Sequence, residues 1–415
     1  MRRKSLLSGI DWLTILIYLL LVAMGWFSIY AAEYDGVRTR VFDLTSNHGK
    51  QMMWILVSLT VSFILLIIDS KFYPTFSYVI YFLVMLTLAA VLGFGTEVKG
   101  NKSWLQFGSI SVQPAEFAKF AVNLAIAKYL STLNVDLRNF RSQAVCLALL
   151  LVPMGLIILQ GDFGSALVFS AFLLVLFREG LNPLYLVAVI VFALLSILAL
   201  VVNYTYLIGG MVCLGLLLTY ILRKNRQIIF AMAALMVISS SYVFAVDYVF
   251  DHFLEAHHRD RINVLLGKSG NDWNVNQSKI AIGSGGWSGK GFLNGTQTKY
   301  DFVPELSTDF IFCTIGEEHG FLGSAIVLLL LFGMLFRIIY ISERQRSKFS
   351  RIYGYGVASI LFFHISVNIG MTIGLAPVIG IPLPLFSYGG SSILSFSILL
   401  FILLKLDADR LAVLR

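Results

Sequence analysis

The chain has 415 residues, of which 58% are hydrophobic and only 13% charged; its mean hydropathy is +0.83 and its formal net charge +8. Soluble globular domains are about a quarter charged, so the composition excludes a soluble enzyme and predicts an all-α polytopic integral membrane protein. The cationic excess does not signal nucleic acid, because it lies in short loops between apolar segments, the ordinary positive-inside pattern.

The basic start Met1-Arg-Arg-Lys-Ser precedes an apolar run over about 13–32 with no small-residue cleavage site after it, which reads as a retained first span and not a cleaved signal peptide. Apolar runs of spanning length lie near 12–32, 51–69, 74–94, 115–132, 143–159, 163–178, 183–202, 205–222, 227–248, 309–340, 352–374 and 388–406, which predicts about 12 transmembrane helices. With the N-terminus in the cytoplasm, alternation puts Lys71, Arg138, Arg141, Arg178, Arg223, Lys224 and Arg226 on the inner side. Arg344, Arg346, Lys348, Arg351, Lys405 and Arg410 follow there, while the short outer loops near 160–162 and 203–204 hold no Lys or Arg. Both termini are therefore expected in the cytoplasm, with 33–49, 95–114, 251–307 and 375–387 outside. Cys146, Cys213 and Cys313 lie in or beside apolar runs without paired spacing, and the six histidines form no HExxH, so neither a disulfide framework nor a zinc site is predicted and no metal ligands are identified.

Charge inside the apolar runs is costly and usually faces the bundle interior. In Gln113-Pro-Ala-Glu116-Phe-Ala-Lys119, Pro114 suits a first helical turn, Glu116 follows where the dipole favours an anion, and Lys119 shares its face. This is either an intrahelical ion pair or a charge facing a polar cavity. Asp162, in Gln160-Gly-Asp162-Phe-Gly-Ser165, is an N-cap type that could also neutralise Lys119. The polar stretch 251–307 has six Lys/Arg, six Asp/Glu and eight glycines. Within it, 276–282 has an apolar stripe that predicts a short amphipathic helix lying on the membrane. The glycines from Gly283 to Gly295 are either turns or a backbone cradle for phosphate or sugar; there is no Walker A pattern. Thr308 and Asp309 are first-turn types for the next helix, and Glu317 and Glu318 follow inside it. Three prolines and four glycines between Gly374 and Gly390 preclude a continuous helix, so 377–392 is expected as a re-entrant or outer-leaflet loop covered by protein. His319 and His364 read as packing residues.

Taken together these motifs resemble the SEDS family (shape, elongation, division and sporulation proteins), its RodA branch most closely. The carrying residues are Gln113-Pro-x-Glu116-x-x-Lys119, Gln160-x-Asp162-x-Gly164, Gln277 to Gly286, Gly289-Lys-Gly291, Gly295-Thr-Gln297, Val303-Pro-Glu305, Thr308 to Phe312, Glu317-Glu318 and Pro382-Leu-Pro-x-x-Ser387-Tyr-Gly-Gly-Ser391. The resemblance implies a single membrane domain over 1–415 with the family's core of about ten spans. It makes 205–248 an added helical pair and 249–307 a long extracytoplasmic loop.

It also implies a peptidoglycan glycosyltransferase that polymerises lipid II, an undecaprenyl-pyrophosphate-linked disaccharide-pentapeptide, into glycan strands at the outer face of the bacterial plasma membrane during elongation. The implied partner is a class B penicillin-binding protein with transpeptidase activity, alongside membrane lipid. The family's catalytic aspartate stands in an Asp-Pro-x-Gly-x-Gly-Tyr/Trp pattern, which is shortened here between Gly267 and Gln277. The base is therefore carried to Asp272, with Asp260 in reserve. Substrate binding is assigned to Glu116, Lys119, Asp162, Arg259, Arg261, Gln277, Ser278, Lys279, Lys290, Gln297, Glu305, Asp309 and Ser387. A divalent cation, Mg or Mn, is an expected aid to pyrophosphate departure. The rival class is a flippase for the same lipid, which many spans, buried charge and a broken segment suit as well.

Overall fold

A computed structural model describes residues 9–34, 43–98, 101–108, 110–202, 204–221, 226–252, 259, 263, 273–299 and 302–411. The chain divides into two compact units, Met1–Leu181 with Trp273–Arg415, and Asn182–Asp272. The first unit begins with α1 (Trp12–Ala32), α2 (Asn47–Ile67) and α3 (Phe72–Phe94). Then come β1 (Thr96–Val98), β2 (Asn101–Phe107) and β3 (Ile110–Val112), paired antiparallel in the order β1-β2-β3. This small meander departs from the all-α expectation: Trp104, Leu105, Phe107 and Ile110 are strand formers flanking a Gly108 turn at φ 64°.

The unit continues with α4 (Pro114–Ser131), α5 (Phe140–Leu159), α6 (Phe163–Leu167), a 3₁₀ turn and α7 (Phe172–Arg178). After the second unit it resumes with α11 (Trp273–Ser284), α12 (Thr296–Lys299), α13 (Ile311–Glu343), α14 (Lys348–Thr372) and α15 (Gly390–Ala408). The second unit holds α8 (Pro183–Val201), α9 (Tyr204–Ile221) and α10 (Arg226–His252), so α8 groups with the two helices of 205–248. Within it the Tyr242 and Ser196 hydroxyls meet at 2.7 Å.

Ten helices among the described residues are long and apolar enough to cross a membrane. The charged α4 and the broken stretch from α6 to α7 occupy the other two of the twelve apolar runs. The protein is a multi-pass membrane protein. Its most enclosed helices are α4, α14 and α15, whose buried residues form one core with Tyr18 and Leu21 of α1. Serines join apolar helices inside it: the Tyr18 and Ser397 hydroxyls meet at 2.8 Å, and Ser395 donates to the Glu116 carbonyl at 2.6 Å.

One end of the first unit is clasped by charge. Asp11 caps α1 by accepting from the Thr14 amide and is paired with Arg337 of α13; Asp407 of α15 accepts from Arg344, Arg410 and Gln345. Burial pushes the Asp11 carboxyl up, but the Arg337 hydrogen bond and the Thr14 hydroxyl outweigh it and hold the group at about 2. Its folded pKa lies below the ordinary 3.8, so its stabilisation is fully present above about pH 4 and fades as pH falls towards about 2. Asp407 is wholly buried, and removing one partner of a buried charge cluster costs about 3–5 kcal/mol. Asp407→Ala should therefore lower the melting temperature of the detergent-solubilised protein clearly, and Asp407→Asn less, as read by thermal unfolding.

Candidate active site

The polar loop is built around a break in α13. At Gly320 the backbone turns to φ 61°, ψ −155°, a conformation for glycine alone. In an unbroken helix the amides of Phe321 and Leu322 would donate to the carbonyls of Glu317 and Glu318. Here those amides donate to Gly286 at 2.8 Å and Trp287 at 3.1 Å, while the two carbonyls accept from Lys290 at 3.0 Å and Gly291 at 2.9 Å. The loop from Gly286 to Gly291 is thus spliced into the gap, and all four severed backbone groups are satisfied, as a low-dielectric setting requires. Gly289, at φ 79°, is packed so closely that a Cβ would lie 2.1 Å from the Glu318 carbonyl oxygen. The remainder of α13, residues 321–343, is about 34 Å long at ~1.5 Å per residue and suffices to cross a ~30 Å hydrocarbon core.

Just before the break, the buried Glu317 carboxylate gathers the next turn of loop. It accepts from the Thr296, Gln297 and Thr298 amides at 2.8, 2.9 and 2.9 Å, from the Thr296 hydroxyl at 3.2 Å and from the Lys290 ammonium at 2.7 Å. Glu318 accepts the Leu293 amide at 3.1 Å. Sequence reasoning placed two adjacent carboxylates here but gave them no role; both hold the loop. Of the glycines of 283–295, Gly285, Gly289 and Gly295 likewise serve close packing on α13, where a Cβ would meet Gly316, Glu318 and Glu317.

A second polar centre lies inside the helices. Lys119 pairs with Glu116 at 2.7 Å, its Nζ is 3.2 Å from His364 Nε2, and it sits 4.7 Å from the Phe396 ring centroid. His364 Nδ1 is 3.1 Å from the Pro382 carbonyl; that oxygen can only accept, so Nδ1 carries the proton and Nε2 faces the ammonium as an acceptor. Lys119 and Glu116 are both buried, so the pair is sealed among α4, α14 and α15. The proposed Asp162–Lys119 pair does not form: Asp162 caps α6 through the Ser165 amide and accepts Gln113 Nε2 at 2.7 Å. Residues 373–389 are irregular, as expected, and buried at 378, 381 and 383–387. Asn368 donates to Ile381 and Asp309 carbonyls at 2.7 and 2.9 Å, and Ser387 Oγ accepts the Leu383 amide at 2.9 Å.

Helix α11 is buried on one face only: within the 276–282 stripe Ile280 is 51% exposed and Ile282 half-buried. Val275, Ser278 and Ala281 recur every three residues and are buried against protein, with Ser278 Oγ donating to the Thr372 carbonyl at 2.6 Å. Gln277 is half-buried on the same helix, and Lys279 is exposed beside Gly374, where a Cβ would come within 2.6 Å of its Nζ. Thr308 and Asp309 do not cap α13, which begins after Phe310 without a side-chain cap. Trp273 Nε1 donates to the Phe302 carbonyl at 3.0 Å and ties the start of α11 to Val303-Pro-Glu305. There, Glu33, Asn47, Lys299 and Glu305 line an open cavity of about 440 Å³. Asp272, Asp260 and Arg261 lie outside the described residues; Arg259 is half-buried in the second unit. The structure thus gathers Lys290 and Gln297 at Glu317, and Glu116 and Lys119 at His364, in separate centres.

The sequence model of the cell cycle protein family FtsW/RodA/SpoVE matches residues 11–209 and 205–411. The chain belongs to this family. The SEDS resemblance, carried by motifs running from α4 to α15, is borne out. Among relatives, peptidoglycan glycosyltransferase MrdB of Escherichia coli is 32% identical over 347 residues, covering 82% of this chain and 80% of its own. Peptidoglycan glycosyltransferase RodA of Treponema pallidum is 31% identical over 437 residues, covering 97% and 99%. The rod shape determining protein RodA of Thermus thermophilus has the same fold, with a TM-score of 0.64 at 24% identity over 97% of this chain and 98% of that one. A chain of a peptidoglycan synthase complex that coordinates polymerization and crosslinking gives a TM-score of 0.69 at 24% identity over 97% and 99%.

The splice makes a sharp contrast between two glycines. Gly289→Ala should unseat the loop and lower stability by several kcal/mol, because the Cβ meets backbone and the φ is left-handed. Gly283→Ala, with nothing within 4 Å at the end of α11, should be neutral or stabilising by up to about 1 kcal/mol. Thermal unfolding of the two variants side by side checks both.

Proposed function

We infer that this protein is a peptidoglycan glycosyltransferase that polymerises lipid II at the outer face of the bacterial plasma membrane during cell elongation, with both termini in the cytoplasm. The observation that carries the reading is the match, along nearly the whole chain, to relatives named for that activity. The locked polar loop supports it, because glycosyl transfer to a lipid-linked sugar needs fixed polar groups beside a bilayer.

In the reaction the 4-hydroxyl oxygen of the acceptor sugar attacks the anomeric carbon of the growing strand. The bond from that carbon to the lipid pyrophosphate breaks, and the configuration inverts. Asp272 takes the hydroxyl proton as the new bond forms, with Asp260 as the reserve base. In support, Asp272 directly precedes Trp273, whose indole is bonded to Phe302 at the edge of the polar cavity. The departing pyrophosphate needs positive charge opposite it. Lys290 is already balanced by Glu317, which favours Lys279, exposed beside Gly374, as the cation for the leaving group. Arg259 and Arg261 remain further candidates. Gln277, Gln297, Glu305 and Asp309 are assigned to hydrogen bonding of the sugar and peptide.

Among the described residues no group of three or more His, Cys, Asp or Glu is placed to hold a metal ion. A Mg or Mn ion would depend on the substrate phosphates for most of its ligands, and no step above passes through one. The partner that supplies crosslinking is a class B penicillin-binding protein; the similar fold within a synthase complex supports this pairing.

Purified protein given labelled lipid II should make glycan strands. Asp272→Ala should lower the rate by at least about 10² and Lys279→Ala by about tenfold. Movement of lipid II across liposomes with no polymer formed would overturn the enzyme reading in favour of a flippase.

A further inference from the structure

Of the residues lining the cavity of about 440 Å³ beyond the end of α1, the chemistry above uses only Glu305; Tyr34, Asn47 and Lys299 have no role in it. The cavity's size falls in the ~300–1,000 Å³ range of small-molecule sites. It lies past Ala32, the last residue of α1, and beside Asn47, the first of α2, and Lys299 with the stretch Val303 to Ser307 closes its other side. Two apolar spans end at its wall, which places it at the end of the membrane-crossing helices.

The lining groups fall into two kinds. Glu33 belongs to the scaffold: its carboxylate accepts the Asn47 and His48 amides at 3.3 and 3.0 Å and contacts His48 Nδ1 at 2.9 Å, which joins the end of α1 to the start of α2. Tyr34, Asn47, Lys299 and Glu305 are part of the remaining wall, Glu305 with its carboxylate accepting the Thr308 hydroxyl at 3.3 Å. Tyr34 offers a half-buried aromatic ring with the Lys299 ammonium 6.0 Å from its centroid. Among the described residues Lys299 has no carboxylate partner, and the Asn47 side-chain amide has no hydrogen bond. Glu305 is a second, independent sign. It holds a left-handed φ of 56°, uncommon without glycine, and its carbonyl fixes that turn by accepting from Thr308, Asp309 and Phe310. Asn134, Leu293 and Leu385 share a left-handed φ, but of the four only Glu305 lines this cavity, which makes its strained turn a reason to look for function there.

We propose that this cavity is a saccharide subsite for an N-acetylated disaccharide that carries a peptide, with Tyr34 against the sugar face, Asn47 and Glu305 bonding amide and hydroxyl groups, and Lys299 meeting a carboxylate of the peptide. An aromatic ring gives contact area at low entropic cost and keeps a polar edge. A planar amide and a carboxylate satisfy the donors and acceptors of a sugar, and a lysine meets the acid as a point charge. The proposal rests on the glycosyltransferase reading for the identity of the sugar, which comes from a lipid-linked precursor or from the strand already made.

The test has two arms. In the first, the full chain carries Tyr34→p-benzoylphenylalanine and is illuminated with fluorescent lipid II or with a lipid-free oligomer of the same disaccharide. This arm needs no turnover, so it stands even if the protein makes no polymer. Crosslinking of both probes assigns the subsite to the strand, and crosslinking of lipid II alone assigns it to the precursor; labelling of neither overturns the proposal. In the second arm, Asn47→Ala and Lys299→Ala should each raise KM for lipid II by about tenfold with kcat within about twofold. A fall in kcat at unchanged KM, with normal thermal unfolding, would also overturn it. Absence of polymer from the unaltered protein would count against the glycosyltransferase reading, separately from the crosslinking result.

Discussion

A helix that must break in a low-dielectric setting leaves backbone groups that have to be bonded elsewhere, and α13 meets that constraint by taking in another part of the chain. The carbonyls of Glu317 and Glu318 and the amides of Phe321 and Leu322 each bond to residues of 286–291. The Glu317 side chain then secures 290 and 296–298 from the same turn. Backbone and side chain of one residue thereby fix two separate stretches of loop. Without that anchor, the glycine-rich segment would lose most of its order in solvent, because glycine surrenders more backbone freedom than any other residue. Everything the loop presents, including Lys279 at its start and Lys299 at its end, depends on this splice for position.

The charges sort by how they are used. Glu116 with Lys119 and His364, Lys290 with Glu317, and Glu33 with His48 are local and satisfied, as buried charge demands. They hold helices and loops together and leave little capacity for a ligand. Lys279 and Lys299 are exposed and lack carboxylate partners among the described residues. These are the two lysines that the proposed function and the proposed subsite assign to anionic groups of the substrate. The division separates buried, neutralised pairs from two exposed lysines.

Much of this was legible in the sequence, and the failures have physical causes. The spans follow from apolar run length, because the bilayer leaves few alternatives. The Glu116–Lys119 pair follows from a spacing of three, and the irregular 373–389 segment from its prolines. The meander at 96–112 was missed because strands of three to seven residues between spans carry little periodic signal. The glycines from Gly283 to Gly295 fit either a ligand cradle or a turn; the contact that decides, with a helix break about 30 residues later, is not local. His364 read as packing, because its bond to Lys119 spans 245 positions. On α11 the face of Val275, Ser278 and Ala281 is buried against protein while Ile280 stays exposed, and periodicity alone does not say what covers a face. Glu33, Tyr34 and Asn47 form a cavity wall with Lys299 and Glu305 only through tertiary packing, and no sequence spacing announces them.

Amide hydrogen exchange over residues 285–299 tests the splice most directly, measured on the detergent-solubilised protein and on Glu317→Ala. The account predicts slow exchange at Lys290, Gly291 and Thr296–Thr298 in the unaltered chain. In the variant, protection at Thr296–Thr298 should fall by about tenfold or more, along with polymer synthesis. Fast exchange at these amides in the unaltered protein, or full synthesis in a variant that has lost their protection, would contradict it.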